Sequence, residues 1–257
     1  MIDRYTKVAF KQMIKKEWLD KTLELVCAGF SEAEIRNYLN NFLKEEHKKD
    51  VADNGKGEIT YLLALSMLAF WFRTDDDLNS FRNALTEVAR KTQPSEWLPL
   101  HMAIISAGYP FYFNFCSIVG KLLSYQDVIS SSQIYDKVNS LYGDKKSVVR
   151  NTRYAVDTMA SWGFIVSVGD KKRNYKAGDK FEINNPKTQA LLYESVLLTK
   201  PTGKALYEEV YRNPALFGFQ YDYMSSAMVE KLTNGRVHML NYGLTTEYLC
   251  LDNAENL

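Results

Sequence analysis

The sequence predicts a mainly α-helical fold in three parts: an N-terminal helical bundle (1–107), a middle domain that ends in a β-hairpin (108–185), and a mixed C-terminal extension (186–257). Three observations underlie this prediction. Apolar residues recur at helical spacing through the first half of the 257-residue chain. Two amphipathic helical segments then lead into a β-rich run with a basic turn. Beyond residue 186, helical and strand-like segments alternate.

The composition is that of an ordinary globular protein. Hydrophobic residues make up 46% and charged residues 25% of the chain, which excludes wholesale disorder. Lys and Arg total 32 against 31 Asp and Glu, and this balance excludes a uniformly basic protein of the histone type. The three cysteines, Cys27, Cys116 and Cys250, are far apart and odd in number, which argues against a disulfide framework and suits a reducing compartment.

The sequence does not predict a membrane protein. The first ten residues interleave charged and apolar side chains and lack the apolar core of a signal peptide. The longest apolar run, Tyr61–Phe72, has twelve residues, whereas a bilayer span needs roughly 20. We therefore expect a cytoplasmic protein and interpret this run as a buried helix.

The first part is predicted to be a bundle of helices. The predicted helices are Lys11–Cys27, one that begins after Ser31, Glu58–Phe72, Leu78–Lys91 and Trp97–Ala107. Ser31 and Glu34 have the spacing of a capping box, in which each side chain accepts a hydrogen bond from the backbone N–H of the other residue. Gly29 is positioned to end the first helix, because glycine tolerates the left-handed conformation found at helix C-termini.

The middle domain has the element order of a winged helix. The predicted segments are a helix from Tyr109 to Leu123, a helix capped by Ser130–Ser132 that runs to Leu141, a helix from Lys145 to Trp162, and strands at Phe164–Val168 and Lys180–Ile183. Gly143 and Asp144 supply the turn between the second and third helices, and Gly163 ends the third. Two helices joined by a turn and followed by a β-hairpin form a helix-turn-helix with a wing.

The C-terminal extension is predicted to combine helices with a second hairpin. The predicted helices are Lys187–Leu198, Gly203–Tyr211 and Tyr221–Leu232, and the predicted hairpin strands are Arg236–Asn241 and Thr246–Leu251. Two interpretations stay open here: a second, degenerate winged unit, or an extension that only packs against the rest.

The third helix of the middle domain and its hairpin concentrate basic residues. The candidate DNA-binding residues are Lys145, Lys146, Ser147, Arg150, Asn151, Arg153 and Tyr154 in the helix, and Lys171, Lys172, Arg173 and Lys176 in the hairpin. A helix in the major groove can hold guanine through Arg and adenine through Asn, while Lys neutralises phosphates. Residues 143–183 contain nine Lys and Arg against five Asp and Glu, so this segment nets +4 although the whole chain nets +1. We therefore predict double-stranded DNA as the partner.

The winged-helix order, the basic turn and the aromatic run can also be explained without any contact to DNA. Winged helices also serve as protein–protein modules, and a lysine-rich turn is often only solvated. The aromatic run Tyr109–Phe115 has the composition of a base-stacking platform, but its helical spacing favours a place in the core.

The sequence contains no motif that predicts catalysis, so we expect neither an enzyme, nor a metal, nor a cofactor. Side chains that could bind a metal ion occur at Glu45–Asp50 and at Asp75–Asp77. A charged helix end explains the first run better, and a helix cap explains the second. Gly203 and Lys204 lack the upstream glycine and the following Ser or Thr of a phosphate-binding loop. An enzyme whose site is assembled from distant residues is kept as a third alternative.

The chain resembles a known family in its layout. Tyr-Pro-Phe at Tyr109–Phe111 precedes the winged segment, and an Arg-bearing helix ends in Trp-Gly-Phe-Ile at Trp162–Ile165. Over residues 10–185 this layout is similar to the BrxA-like family of bacteriophage-exclusion (BREX) phage-defence systems. The resemblance implies a non-enzymatic double-stranded DNA binder that works beside other defence proteins. The alternative function is a protein–protein adaptor or a transcriptional regulator, and the oligomeric state stays open.

Overall fold

The computed structural model describes residues 3–8, 10–54, 60–73, 77–169, 173–243 and 246–252. This part of the chain is mainly helical with small sheets, which confirms the predicted class. The α-helices are α1 (Lys16–Cys27), α2 (Glu32–Asn54), α3 (Thr60–Leu68), α4 (Asn79–Ala89), α5 (Leu98–Gly108), α6 (Pro110–Tyr125), α7 (Ser131–Tyr142), α8 (Lys146–Ser161), α9 (Pro186–Leu198), α10 (Tyr207–Tyr211) and α11 (Ser226–Leu232). The strands are β1 (Ile129–Ser130), β2 (Ile165–Val168), β3 (Asn174–Ala177), β4 (Phe181–Glu182), β5 (Lys204–Leu206), β6 (Phe219–Gln220), β7 (Val237–Tyr242) and β8 (Thr246–Leu251).

The core of the N-terminal bundle is centred on α5, in which every residue is buried. This helix contains no Asp, Glu, Lys or Arg, so it can enter the core without leaving a full charge in a medium of low polarity. Its one titratable side chain, His101, places Nε2 2.8 Å from the Asp20 carboxylate of α1. Burial lowers the pKa of His101 and favours the neutral imidazole. Because α5 also packs against α6 and α9, it joins the bundle to both following parts.

The helix caps predicted at Ser31 and Ser130 are present, whereas Asp77 does not cap α4, whose N-cap residue is Leu78 without a side-chain cap bond. The backbone N–H of Ser31 donates to the Glu34 carboxylate at 2.8 Å, and the N–H of Glu34 donates to the Ser31 hydroxyl at 3.4 Å. At α7, the Ser130 hydroxyl accepts from the N–H of Gln133 at 3.2 Å. Gly163 follows α8 with a φ of +79°, a conformation that a residue with a Cβ adopts at a cost. These helix ends are therefore set by local sequence.

Three predicted helices are shorter than their apolar spacing suggests. Residues 11–15 are not helical, because the backbone N–H of Ile14 donates instead to the Thr158 hydroxyl at 3.0 Å. Residues 204–206 form a strand that pairs with β8, and residues 221–225 precede α11 without joining it. Tertiary contacts override the local helical pattern at these places.

The hairpin of the middle domain differs from the prediction. β2 pairs antiparallel with β3 from Ile165↔Ala177 to Val168↔Asn174, and β1 pairs with the other edge of β3. The expected return strand at 180–183 lies outside this sheet, since its residues form β4, which pairs in parallel with β6. The runs that form β2 and β4 both favour a strand by composition. Which strand each of them pairs with depends on the partners available in the folded protein.

The C-terminal part repeats the element order of the middle part. The order α6-β1-α7-α8-β2-β3 (the middle unit) is followed by α9-β5-α10-α11-β7-β8 (the C-terminal unit), with β4 between the two and β6 inserted in the second. In each unit the last strand lies between the other two, as β1-β3-β2 and as β5-β8-β7. The predicted C-terminal hairpin is confirmed as β7 and β8, paired from Val237↔Leu251 to Tyr242↔Thr246.

The two units pack tightly against each other. The ring of Phe164 meets Phe219 edge-on at 5.1 Å between centroids, and Phe219 in turn meets Phe181 at 6.3 Å. On the neighbouring surface, Gly120 of α6 lies so close to Pro214 that a Cβ at Gly120 would overlap the proline carbonyl oxygen. α6 can therefore pack this closely against Pro214 only because residue 120 has no side chain.

Among the described residues, no single helix combines the length and the hydropathy of a membrane span. α5 and α6 reach that length and hydropathy only as a pair, and their axes are bent by 118°.

His238 links α11 to the end of β8. Its Nδ1 lies 3.3 Å from the Glu230 carboxylate and its Nε2 lies 3.1 Å from the Asp252 carboxylate. The hydrogen bond to Asp252 is the main cause of a raised pKa of His238, and the bond to Glu230 adds to it. Since the folded state raises the pKa, this contact stabilises the fold fully below the unfolded pKa and is lost as the pH rises through the folded pKa.

Replacement of Gly120 by alanine should destabilise the protein, although alanine is ordinarily the better helix former. The added methyl group overlaps the Pro214 carbonyl, and such overpacking costs about 1–3 kcal/mol. Urea denaturation measures the free energy of unfolding. Ser124→Ala, at an exposed position of the same helix, is the control and should stay within about 0.5 kcal/mol of the wild type. Equal stability of Gly120→Ala and the wild type would contradict the close packing.

The pKa of His238 should lie above the ordinary histidine value of 6.5, because two carboxylates favour the imidazolium. Asp252→Asn should lower this pKa more than Glu230→Gln does. An NMR titration of the histidine ring protons measures it, and His101, whose pKa burial lowers, serves as the internal contrast. A wild-type value at or below 6.5 would contradict the ion-pair geometry.

Candidate nucleic-acid interface

α8 buries one face in the core and exposes the other. Val148, Thr152, Ala155 and Met159 are buried and recur every three or four residues. The exposed positions of α8 are Lys146, Ser147, Val149, Arg150, Arg153, Asp157 and Ser161. Lys145, which immediately precedes the helix, is exposed as well. The polar side of the first turns is therefore accessible to a large ligand.

The C-terminal end of α8 is fixed by the N-terminal segment of the chain. The indole N–H of Trp162 donates to the Ile14 carbonyl at 2.9 Å, next to the bond between the Ile14 N–H and Thr158. The ring of Trp162 packs edge-on against Tyr112, which stacks on Phe10 at 4.6 Å. All five residues are buried. The helix is thus held at one end while its basic first turns remain in solvent.

The basic residues on α8 and the hairpin are exposed, and none of them forms an ion pair within the described part of the chain. They are Lys145, Lys146, Arg150, Arg153, Arg173 and Lys176. Basic residues in other parts of the protein are neutralised by carboxylates, as in Lys16–Asp20, Lys91–Glu87, Arg212–Glu208 and Arg236–Glu194. An exposed set of like charges creates a positive potential that attracts an anionic partner.

Two predicted contact residues are placed differently from the expectation. Asn151 is 3% exposed, and its Nδ2 donates to the Ser147 carbonyl at 2.6 Å. The prediction of Asn151 as an adenine reader is corrected, because the residue follows Val148 by three positions and shares its buried face. Tyr154 is half-buried against the core, and the Arg153 guanidinium lies 5.3 Å from its ring centroid. The ring of Tyr154 therefore packs against the Arg153 guanidinium and is not itself placed to contact a base.

The hairpin is tied to the start of α7. The Arg173 carbonyl accepts from both the backbone N–H and the hydroxyl of Ser131, at 2.7 and 3.0 Å. In β3, Tyr175 is buried whereas Lys176 is exposed, as the alternation of a strand requires. The predicted contact residues Lys171 and Lys172 lie outside the described residues. Of the hairpin set, Arg173 and Lys176 are exposed on the same domain as α8.

Sequence reasoning missed Val149, an apolar residue on the exposed face of α8. Its apolar character suggests a place beside the core, but its side chain is 38% exposed. The spacing contained the signal, since Val149 lies three residues after Lys146 and four before Arg153. An apolar side chain on such a face can contact the methyl group of thymine.

The described residues contain no group of three or more His, Cys, Asp or Glu side chains that fits a metal ion. In the first acidic run, Glu45 pairs with Lys48. In the second, Asp77 pairs with Arg4, while Asp75 and Asp76 lie outside the described residues.

The aromatic run of α6 belongs to the core, as its spacing predicts. Phe111, Tyr112, Phe113 and Phe115 are all buried. Burial also raises the pKa of the Cys116 thiol in the same helix well above its ordinary value, which keeps the thiol protonated. These side chains are unavailable for base stacking or for nucleophilic chemistry.

Trp162→Phe should cost about 1–3 kcal/mol more than Trp18→Phe in the free energy of unfolding. Both tryptophans are 6% exposed, but the Trp18 indole N–H has no acceptor among the described residues, whereas that of Trp162 bonds to the Ile14 carbonyl. The pair of variants therefore isolates the hydrogen bond that fixes α8. Equal losses in urea denaturation would show that this bond does not hold the helix.

Comparisons with protein-family models, with curated proteins and with solved structures find no match for this chain.

Proposed function

We propose that this protein binds double-stranded DNA through a winged-helix domain formed by the middle unit. In this proposal α8 enters the major groove and the β2–β3 hairpin is the wing that follows the flanking backbone. The observation that carries the proposal is the set of exposed cations on α8 and the hairpin that no described carboxylate neutralises. Such a set releases counterions when it meets the phosphates of a duplex.

The topology of the middle unit supports this interpretation. Its order of helix, strand, two helices and two strands, with the last strand in the centre of the sheet, is the order that a winged helix requires. The bond from Ser131 to the Arg173 carbonyl holds the hairpin next to the α7–α8 pair. The wing and the reading helix would then contact the duplex together.

The proposed roles follow from side-chain chemistry. Arg150 and Arg153 lie one turn apart on the exposed face, and their planar guanidinium groups suit guanine edges or phosphates. Lys145 and Lys146 at the start of α8 suit phosphates, and Arg173 and Lys176 on the hairpin suit a flanking backbone. Because Asn151 is turned inward, adenine readout is not part of the proposal. We expect little sequence preference.

We propose that the C-terminal unit is a second winged unit that does not contact DNA. Residues 186–252 contain six Lys and Arg against seven Asp and Glu. Lys187, Lys200, Arg212 and Arg236 form ion pairs with carboxylates. This unit therefore lacks the free positive potential of the middle unit.

The resemblance to the BrxA-like family supports a place for this DNA binder in phage defence, beside other defence proteins. The alternative of a protein–protein adaptor requires a docking surface, which the aromatic residues of the helical half would have to supply. Phe111, Tyr112, Phe113 and Phe115 are buried and cannot supply it, whereas Phe30 and Tyr38 are about half exposed. The observation that favours DNA binding over the adaptor is therefore the set of exposed cations on α8 and the hairpin.

Titration of a fluorescent duplex of arbitrary sequence at several salt concentrations tests the proposal. Arg150→Ala/Arg153→Ala should weaken binding, by about 1–3 kcal/mol for each arginine that contacts a base. If both arginines contact phosphates, the negative slope of log Kobs against log salt should become shallower by up to about two units.

The matched control is Lys91→Ala/Arg212→Ala, which removes the same charge from exposed side chains that form ion pairs elsewhere. It should bind DNA as the wild type does. Failure of the wild type to bind a duplex at low salt would overturn the proposal and favour the adaptor.

A further inference from the structure

β7 forms an unprotected edge of the C-terminal sheet, whose strand order is β5-β8-β7. Proteins usually protect an edge strand with charged side chains or proline, yet Val237–Tyr242 includes no Asp, Glu, Lys, Arg or Pro. The opposite edge is satisfied within its own chain. There the N–H of Lys204 donates to the Thr202 hydroxyl at 3.4 Å, and this hydroxyl donates to the Lys204 carbonyl. Of the two edges, β7 is the one open to a further strand.

The hydrogen bonds of the sheet show which backbone groups of β7 face outward. The N–H of Asp252 donates to the Arg236 carbonyl at 3.1 Å, so these two residues form a hydrogen-bonded pair. Such pairs alternate with non-bonded pairs along an antiparallel ladder, so residues 238, 240 and 242 direct their backbone groups toward β8. Those of Val237, Met239 and Asn241 therefore point away from the sheet.

Met239 and Asn241 supply the accessible outward groups. Val237 is fully buried, so a second strand cannot reach it, whereas Met239 is half-buried and Asn241 is exposed. Within the described chain, no group outside the sheet bonds to the N–H or C=O of either residue, and the Met239 contact to Ser226 uses the sulfur. The edge thus offers two donors and two acceptors.

We propose that β7 pairs antiparallel with β7 of a second copy of this chain, which joins the two C-terminal sheets into one. The two-fold axis lies at Leu240, and Met239 of each copy forms a hydrogen-bonded pair with the partner's Asn241. This register is the one that pairs both accessible residues of both strands. The half-buried Leu240 then meets the partner's Leu240, which gives the contact an uncharged centre. The proposal goes beyond DNA binding and does not depend on it.

The charges at the two ends of β7 favour a second copy as the partner. At one end, the Lys204 ammonium lies 3.0 Å from the Tyr242 hydroxyl. At the other end, His238 contacts the carboxylates of Glu230 and Asp252, so two negative charges surround one imidazole. The proposed register places Tyr242 opposite the partner's His238. The positive end of each strand therefore faces the negative end of the other.

Sedimentation equilibrium over a range of protein concentrations tests the proposal. The wild type should approach twice the mass of one chain as the concentration rises. Leu240→Lys places like charges at the axis and should raise the Kd of the dimer about tenfold. Leu62→Lys, which adds the same charge at an exposed leucine of α3, is the matched control and should leave the Kd unchanged.

Asn241→Pro tests the backbone pairing without adding a charge. The lost N–H faces outward, so the variant keeps the bonds within its own sheet and loses one intermolecular donor in each copy. Its Kd should also rise about tenfold, whereas Asn241→Ala, which keeps the N–H, should dimerise as the wild type does.

Cysteine cross-linking tests the register. Leu240→Cys places two Cα atoms about 4.5 Å apart across the axis, within the reach of a disulfide, so oxidation should yield a covalent dimer. Tyr242→Cys is the control on the same strand, because its two copies lie about 14 Å apart and should not cross-link. A wild type that stays monomeric, or Leu240→Lys with the wild-type Kd, would overturn the proposal whatever the DNA titration shows.

Discussion

A continuous set of packed aromatic rings holds the parts of this protein together. Phe10 stacks on Tyr112 of α6, and Tyr112 packs edge-on against Trp162 at the end of α8. Trp162 in turn packs against Phe164, which contacts Phe219 of the C-terminal unit. Each such pair contributes about 0.5–1.5 kcal/mol beyond the burial of its area. Since the set passes through the end of α8, the orientation of the exposed basic face depends on the core that joins the two units.

The distribution of charge distinguishes the middle unit from the rest of the molecule. The chain nets only +1, and many of its basic side chains pair with nearby carboxylates. Exposed pairs of this kind add only about 0–1 kcal/mol each to stability, so their main effect is to remove free charge from the surface. The cations of α8 and the hairpin have no such partners in the described chain, and a positive face results on a nearly neutral protein.

Much of the fold followed from local signals, and the errors occurred where distant contacts compete with them. The caps at Ser31 and Ser130 form as their spacing predicts, because the bonds involved join residues only three positions apart. The prediction that the run 180–183 forms the return strand of the middle hairpin is wrong, because that run pairs with β6 rather than with β2. The partner of a short strand is not encoded in the strand itself. The strand at 204–206, which pairs with β8, has no local signal of that kind either.

By itself, the sequence determined the helical class, the capped helix ends at Ser31, Ser130 and Gly163, and the concentration of basic residues in one segment. These properties depend on composition and on neighbours within one or two turns. Only the tertiary structure decided that residues 11–15 are not helical and that the C-terminal part repeats the topology of the middle part. The reason is that these outcomes depend on contacts between distant positions, such as the bond from Ile14 to Thr158, which spans 144 residues.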